Sequence, residues 1–251
     1  MAGHNKWSKV KHIKAKTDAI KGKQFSKVVR EIIVAAKQGG GDPDMNPALR
    51  LAIQKAKDVN MPKDNVKRAI EKGVGGGEGT DLEEITYEAY GVAGVAVLIE
   101  TLTDNRNRTV PNIRTIVNKA GGSMANSGSV SYLFKTKGIL VFDESSDEDT
   151  LMTIALASGA DDVTTLDDGG FEVLTAPETF EAVRLAFEKE SVPFISADLT
   201  KVPETTIVLD EPNAKSLFRM IDALEEDDDV QNVYANYSVS DEIMEALSKA
   251  L

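Results

Sequence analysis

Residues 85–122 read ITYEAYGVAGVAVLIETLTDNRNRTVPNIRTIVNKAGG. Residues 85–90 and 95–101 are short runs rich in β-branched and aromatic side chains, and residues 91–94, GVAG, separate them, so they read as two strands joined by a turn. Asp104 or Asn105 then offers a side-chain acceptor to the first amides of a helix. Val110, Ile113, Val117 and Ala120 recur at spacings of three and four, which places them on one face of a helix running through Lys119, and Gly121 and Gly122 end it. Two strands followed by an amphipathic helix must bury their apolar faces on each other, which is the start of an α+β layer.

Upstream of this stretch the pattern is helical. Residues 22–37 carry Val28, Val29, Ile32, Ile33 and Ala36 on a broad apolar face, and Gly39, Gly40 and Gly41 stop the helix. Asn46 and Pro47 suit the cap and first position of a second helix, marked by Leu49, Ala52, Ile53 and Ala56. Residues 63–72 predict a third, short helix with Val66 and Ile70 inward and Gly73 as its cap. Residues 73–79, GVGGGEG, predict a flexible linker. Downstream, strands are expected at 129–134, 138–142, near 194–199, at 206–209 and at 230–239, with a hairpin around Asp168, Gly169 and Gly170. Helices are expected near 148–157, at 177–190 and at 211–224. Strand counting returns 203–240 to the first sheet and makes the middle unit an insertion. The expected fold is therefore multidomain α and β. A basic arm over 1–20 and a three-helix domain with its linker over 21–79 precede two ferredoxin-like α+β sandwiches. The first sandwich is discontinuous, 80–134 with 203–251, and the second, 135–202, is inserted into it.

A chain of 251 residues with 41% hydrophobic and 28% charged residues can bury a sizeable core, which argues against wholesale disorder. The chain has no cysteine, which excludes disulfides, cysteine–zinc sites and thiol catalysis and suits a reducing compartment. No apolar run approaches membrane-spanning length, and the basic start lacks an apolar core behind it, so neither a membrane span nor a secretory signal is expected. A cytoplasmic location follows as the expectation. The net charge of −12 alone argues against nucleic acid, but the way the charge is distributed argues for it. Residues 1–80 hold 17 Lys and Arg against 8 acids, and the rest hold 12 against 33. Within residues 1–30 there are 9 bases and one acid, Asp18. Such segregation makes an electrostatic footprint on an acidic protein.

Enzyme motifs are thin. The chain has no phosphate-binding loop, nucleophile elbow or metalloprotease helix motif. His4 and His12, the two histidines, lie eight apart without a carboxylate pattern, which is a poor metal site; a phosphate or base contact and a plain surface histidine both fit. The acidic runs 143–149 and 225–229 lack the spacing and glycine of a calcium loop and read as solvated loops, whose charge could also turn wrong polyanions away. No metal and no cofactor are expected. The arm is the stronger signal: His4, Asn5, Lys6, Trp7, Ser8 and Lys9, then Lys11, His12, Lys14, Lys16, Lys21 and Lys23. Closely spaced cations beside a polyphosphate release condensed counterions, and Trp7 could stack on an unpaired base. The alternative is a solubilising tail with Trp7 packed on its own domain. Arg106 and Arg108 stand at a helix start, where their charge opposes the dipole, so they are read either as anion contacts or as internal bridges to neighbouring acids. Lys63, Lys67 and Arg68 on the third helix complete the candidate nucleic-acid contacts.

The motifs AGHNKWSKVKHIKAKTDAIKGK at the start, MPKDNVKRAIEKG in the helical part, residues 87–122 and GSVSYLFKTKG at the joint between α+β units together resemble the YebC/PmpR family of bacterial proteins, nearly over the whole chain. The mitochondrial relative of that family is a translational activator of cytochrome c oxidase subunit I. The resemblance implies three domains, no enzymatic activity and no cofactor. It implies a regulator of gene expression, described in the family both as a DNA-binding transcriptional regulator and as a ribosome-associated translation factor that relieves stalling. A lysine-rich arm with one aromatic residue suits irregular RNA, and the third helix offers few of the Asn, Gln and Arg combinations used on base edges. The partner is therefore expected to be DNA or ribosomal RNA, with the ribosome itself as a candidate and a monomer as the expected state. A metal-dependent hydrolase using the acidic runs, and a protein–protein adaptor, are the rival classes.

Overall fold

A computed structural model of the chain describes residues 18–76, 81–166 and 169–250. Helix α1 spans Asp18–Gly39, α2 Pro47–Asp58 and α3 Lys63–Gly75. The first helix starts four residues before the expected 22, inside the segment read as arm. Val28, Ile32, Ile33 and Ala36 of α1 pack with Leu49, Ala52 and Ala56 of α2 and Ala69 of α3 into one apolar cluster. Buried Asn46 caps α2 by accepting from the Leu49 amide at 3.1 Å, and its Nδ2 donates to the carbonyls of Ala35 and Gly40 at 2.8 Å. One side chain thus starts α2 and ties it to the end of α1.

Gly73 does not cap the third helix. The helix continues to Gly75, and Gly76, at φ 62°, supplies the left-handed residue. Gly73 is buried in the helix, where an added Cβ would sit 2.6 Å from the Ile33 carbonyl oxygen and 2.8 Å from Ala36 Cβ. Its role is close approach of α3 to α1.

Strands β1, Glu83–Tyr90, and β2, Ala96–Thr103, pair antiparallel from Glu83↔Thr103 to Tyr90↔Ala96, with the GVAG segment as the turn between them. Helix α4 follows at Arg106–Lys119, and β3, Ser123–Met124, returns to pair with β1. The expected strand at 129–134 is absent. Residues 131–133 form a short 3₁₀ turn, and β4 is one strand, Phe134–Phe142. The amides of Gly128, Val130 and Ser131 are taken by the buried Glu88 carboxylate and not by a ladder. Gly138 does not break β4, because Thr175 and Phe180 fill the space its missing side chain leaves.

The chain divides into two compact units, one up to Ser131 and again from Thr205, the other Tyr132–Glu204. The second unit runs from β4 through α5, Glu148–Ser158, β5, Asp162–Thr165, β6, Phe171–Thr175, and α6, Phe180–Lys189, to β7, Ser196–Pro203. Its antiparallel sheet has the order β5-β6-β4-β7. Leu151, Ala155, Val183 and Phe187 of the helices and Leu140, Phe142 and Val173 of the strands are buried, with the Phe142 and Phe187 rings 4.7 Å apart. The β5–β6 turn closes as the expected hairpin at Gly169 and Gly170; Asp168 lies outside the described residues.

The chain then completes the first sheet. Short β8, Ile207–Val208, precedes α7, Glu211–Glu225, and β9, Val230–Ala235, which joins the edge of β2 to give the order β3-β1-β2-β9. Tyr237–Ser238 forms β10, parallel to β8, and α8 spans Asp241–Ala250, a helix not expected from the sequence although Ile243, Met244 and Leu247 fall on one face. The single strand expected at 230–239 is interrupted at buried Asn236, which accepts from the Ala96 amide at 2.7 Å and donates to the Thr205 carbonyl at 3.2 Å. Ala89, Val97, Ile99, Val233 and Ala235 of the sheet bury against Ile113 and Val117 of α4 and Leu217, Ile221 and Leu224 of α7. Each unit therefore contains an α+β sandwich with two helices on a four-stranded antiparallel sheet.

Candidate nucleic-acid interface

Most of the arm lies outside the described residues: His4, Asn5, Lys6, Trp7, Ser8, Lys9, Lys11, His12, Lys14 and Lys16, together with the side chain of Lys21 on α1. Lys63, Lys67 and Arg68, with Lys72, project into solvent from α3, and Lys67 is 3.9 Å from Glu71 one turn on. Exposed lysines and arginines on a short helix match a phosphate-contacting surface. Lys23 is exposed on α1, and its Nζ donates to the Glu226 carbonyl at 3.2 Å.

The two arginines at the start of α4 separate. Arg106 is 64% exposed at its side chain, with a distant 3.9 Å ion pair to Glu83. Arg108 makes the internal bridge that was the alternative expectation. Its Nη2 donates to both Asp229 oxygens at 2.8 and 2.9 Å and to Asp104 at 2.8 Å, and its Nε reaches Asp229 at 3.2 Å. The Asp229 and Asp104 contacts raise the guanidinium pKa further, and the hydrogen bond from Arg108 lowers the Asp104 pKa. Asn105 holds the helix start by accepting from the Arg108 amide at 3.1 Å.

Asp229 corrects the reading of 225–229 as a solvated loop. It is 3% exposed, and beside Arg108 it accepts from the Thr109 and Thr103 hydroxyls at 2.8 and 3.3 Å and lies 3.4 Å from Arg30 of α1. A carboxylate can be buried there because four donors surround it. The other acidic run is closer to expectation: Asp143 turns the chain by accepting from Ser145, and Asp147 caps α5 by accepting from Thr150. Those bonds hold both carboxyls below the usual range. Among the described residues no group of three His, Cys, Asp or Glu side chains is placed to hold a metal ion, and no helix is long and apolar enough to cross a membrane.

Sequence reasoning missed a set of contacts between α1 and the end of α7. Lys27 Nζ donates to the Glu225 carbonyl at 2.9 Å, and Arg30 donates to the Asp228 carbonyl. The available signal was the spacing of Lys23, Lys27 and Arg30, which aligns them on the polar side of α1.

The family described as the TACO1/YebC protein N-terminal domain matches residues 5–76, and the TACO1/YebC second and third domain matches residues 82–237. The chain belongs to the TACO1/YebC family. Its relatives within that family include proteins named probable transcriptional regulatory protein from Citrifermentans bemidjiense, 54% identical over 98% of this chain and 100% of the relative, and from Geobacter sulfurreducens, 52% identical over the same shares. A crystal structure of a conserved hypothetical protein from Aquifex aeolicus superposes with a TM-score of 0.82 at 44% identity, covering 91% of this TACO1/YebC chain and 95% of the other. The resemblance read from the motifs, and the mixed helical and α+β architecture, are thereby established.

Proposed function

We propose that this TACO1/YebC protein is a non-enzymatic, nucleic-acid-binding regulator of gene expression that grips its target with the basic arm. One observation carries the reading: 17 of the 29 Lys and Arg fall in the first 80 residues of a chain whose net charge is −12. That concentration favours phosphate contact at one end and repels polyanions elsewhere. The exposed cations Lys63, Lys67 and Arg68 and the exposed Arg106 extend the same surface chemistry. Arg108, engaged by Asp229, serves the interface by holding the start of α4.

The relatives' name, probable transcriptional regulatory protein, supports DNA as the target. Ribosomal RNA or the ribosome is a second reading, favoured by Trp7 among the arm lysines, because a lone aromatic in a cationic segment suits unpaired bases. We place the protein in the cytoplasm as a monomer. Sedimentation of cell lysate containing the full chain, or the chain lacking residues 2–17, tests the choice. Arm-dependent co-migration with ribosomes selects translation. Recovery on promoter fragments with none on ribosomes selects transcription. Incubation with Mg²⁺ and labelled RNA or DNA should give stoichiometric binding; turnover would overturn the non-enzymatic reading, and no retention at physiological salt would favour a protein–protein adaptor.

A further inference from the structure

Lys23, Lys27 and Arg30 follow one another at spacings of four and three, so they form one stripe along α1 directly after the basic arm. All three end on the same five residues, EEDDD at 225–229. Lys23 donates to the Glu226 carbonyl at 3.2 Å, Lys27 to the Glu225 carbonyl at 2.9 Å, and Arg30 to the Asp228 carbonyl and, at 3.4 Å, to the Asp229 carboxylate. Glu225 is the last residue of α7, so its carbonyl lies at the negative end of that helix. The stripe therefore faces a short row of anionic and carbonyl oxygens within a segment carrying five carboxylates. A nucleic-acid backbone offers the same chemistry: closely spaced oxygens with repeated negative charge.

We propose that residues 225–229 are an intramolecular stand-in for a nucleic-acid backbone, an autoinhibitory contact that occupies the α1 stripe in the free protein and yields it when the arm has captured a target. The inference rests on the nucleic-acid reading above. Its consequence is selectivity by length. A short polyanion meets only the arm and is repelled by the acidic run, whereas a long one held by the arm competes for Lys23, Lys27 and Arg30 at high local concentration. Asp229 is not released with the others, because Arg108 and two hydroxyls retain it.

The absence of cysteine in the full chain permits a direct test. The double variant K23C/E226C is joined by a short bismaleimide, and its binding to a single-stranded RNA and to a DNA duplex of equal length is titrated against salt, before and after joining. Lys27 and Arg30 remain as stripe cations, each expected to contribute about 0.7 to the log–log slope on single strands. Joining should therefore flatten the RNA slope by about 1.4 and weaken low-salt binding by roughly tenfold or more. In a second variant, E226Q/D227N/D228N, which keeps the amide acceptors, binding should tighten severalfold at unchanged melting temperature. Equal slopes and affinities for joined and unjoined protein, or no tightening in the neutralised variant, overturn the proposal. If the unjoined chain binds both probes steeply and joining changes nothing, only the stand-in fails. If the wild-type chain shows no salt-dependent binding to either probe, the nucleic-acid reading fails and takes the stand-in with it.

Discussion

Asp229 sits in a run of five acids whose composition suggests solvent, yet it is among the most buried charges of the described residues because its partners, Thr103, Arg108 and Thr109, come from the end of β2 and the start of α4. Removing one partner from a buried pair costs about 3–5 kcal/mol when nothing else compensates. Arg108 is 46% exposed at its side chain, and Arg30 and two hydroxyls would remain, so Arg108→Ala should cost less, about 2–3 kcal/mol. Arg106→Ala should change stability by less than about 0.5 kcal/mol and weaken nucleic-acid binding instead. Chemical denaturation alongside a binding titration separates the two; equal destabilisation by both substitutions would refute the division. Glu88 makes a second residue-scale case. Burial raises its pKa, but the amides of Val130, Gly128 and Ser131 together outweigh that, so the folded-state pKa lies below the unfolded one. Its stabilisation is therefore fully present above the unfolded pKa of about 4.3 and is lost as pH falls through the folded value. Glu88→Gln should cost about 2–3 kcal/mol at pH 7, since one amide group must face backbone donors, and should flatten the acid limb of stability below about pH 4. Melting curves across the acid range up to neutrality check it; an unchanged acid limb would assign acid sensitivity to other carboxylates. The caps Asn46 and Asn105 were legible because they act three residues along the chain. The partners of Asp229 and Glu88 were not, because they lie about 40 to 126 residues away and follow from topology.

At the scale of elements, periodicity identified the seven helices α1 to α7 but missed α8, whose Ile243, Met244 and Leu247 share one apolar face, and it failed where local chemistry changed without a change in composition. Val130, Tyr132 and Phe134 are strand-forming side chains, but Glu88 takes the amides of Val130 and Ser131 that a ladder would need. Residues 230–239 look continuous in hydropathy, yet Asn236 directs its side chain to Ala96 and Thr205 and splits the strand. Gly73 reads as a stop because glycine ends helices more often than it lets two of them touch. The contact makes opposite predictions for two glycines of α3. Gly73→Ala gains up to about 1 kcal/mol of helix propensity but must push apart α1 and α3, since the new methyl meets the backbone of Ile33; a net loss of about 1–2 kcal/mol is expected. Gly75→Ala meets nothing within 4 Å and should stabilise by a few tenths of a kcal/mol, less than a mid-helix exchange because it lies at the helix end. Thermal melts of the two single variants decide it, and a stabilised Gly73→Ala would mean that α3 can shift without cost.

At the scale of the molecule, a sheet that receives its last strand from residues 230–235 and its first from residues 83–90 must be completed after the intervening unit. Strand counting pointed to this order because neither half of the first sheet has enough strands to bury its helices. The separate apolar cluster of α1, α2 and α3 supports our proposal that 21–79 form a domain of their own, followed by 80–134 with 203–251 and by 135–202. Charge is distributed across this plan unevenly, and the arm should carry most of the polyanion affinity. The five lysines Lys6, Lys9, Lys11, Lys14 and Lys16, each neutralising one phosphate, predict a log–log salt slope on single-stranded RNA of about −3.5 from the arm alone, and nearer −5 with two further cations. Deleting residues 2–17 stops short of the described part of α1 and removes none of the described residues of the apolar cluster that closes the helices. The truncated chain should therefore melt at the same temperature, lose several orders of magnitude of affinity at low salt and keep a slope no steeper than about −1.5. Trp7→Ala in the full chain divides the remainder. If Trp7 stacks on a base, binding weakens by roughly 1–3 kcal/mol with an unchanged slope, because no cation is lost. If Trp7 packs on its own domain, the melting temperature falls and binding by the folded fraction is normal. A truncated chain that binds as tightly as the full one would move the interface to α3 and Arg106, where Lys63, Lys67 and Arg68 are the next substitutions to measure.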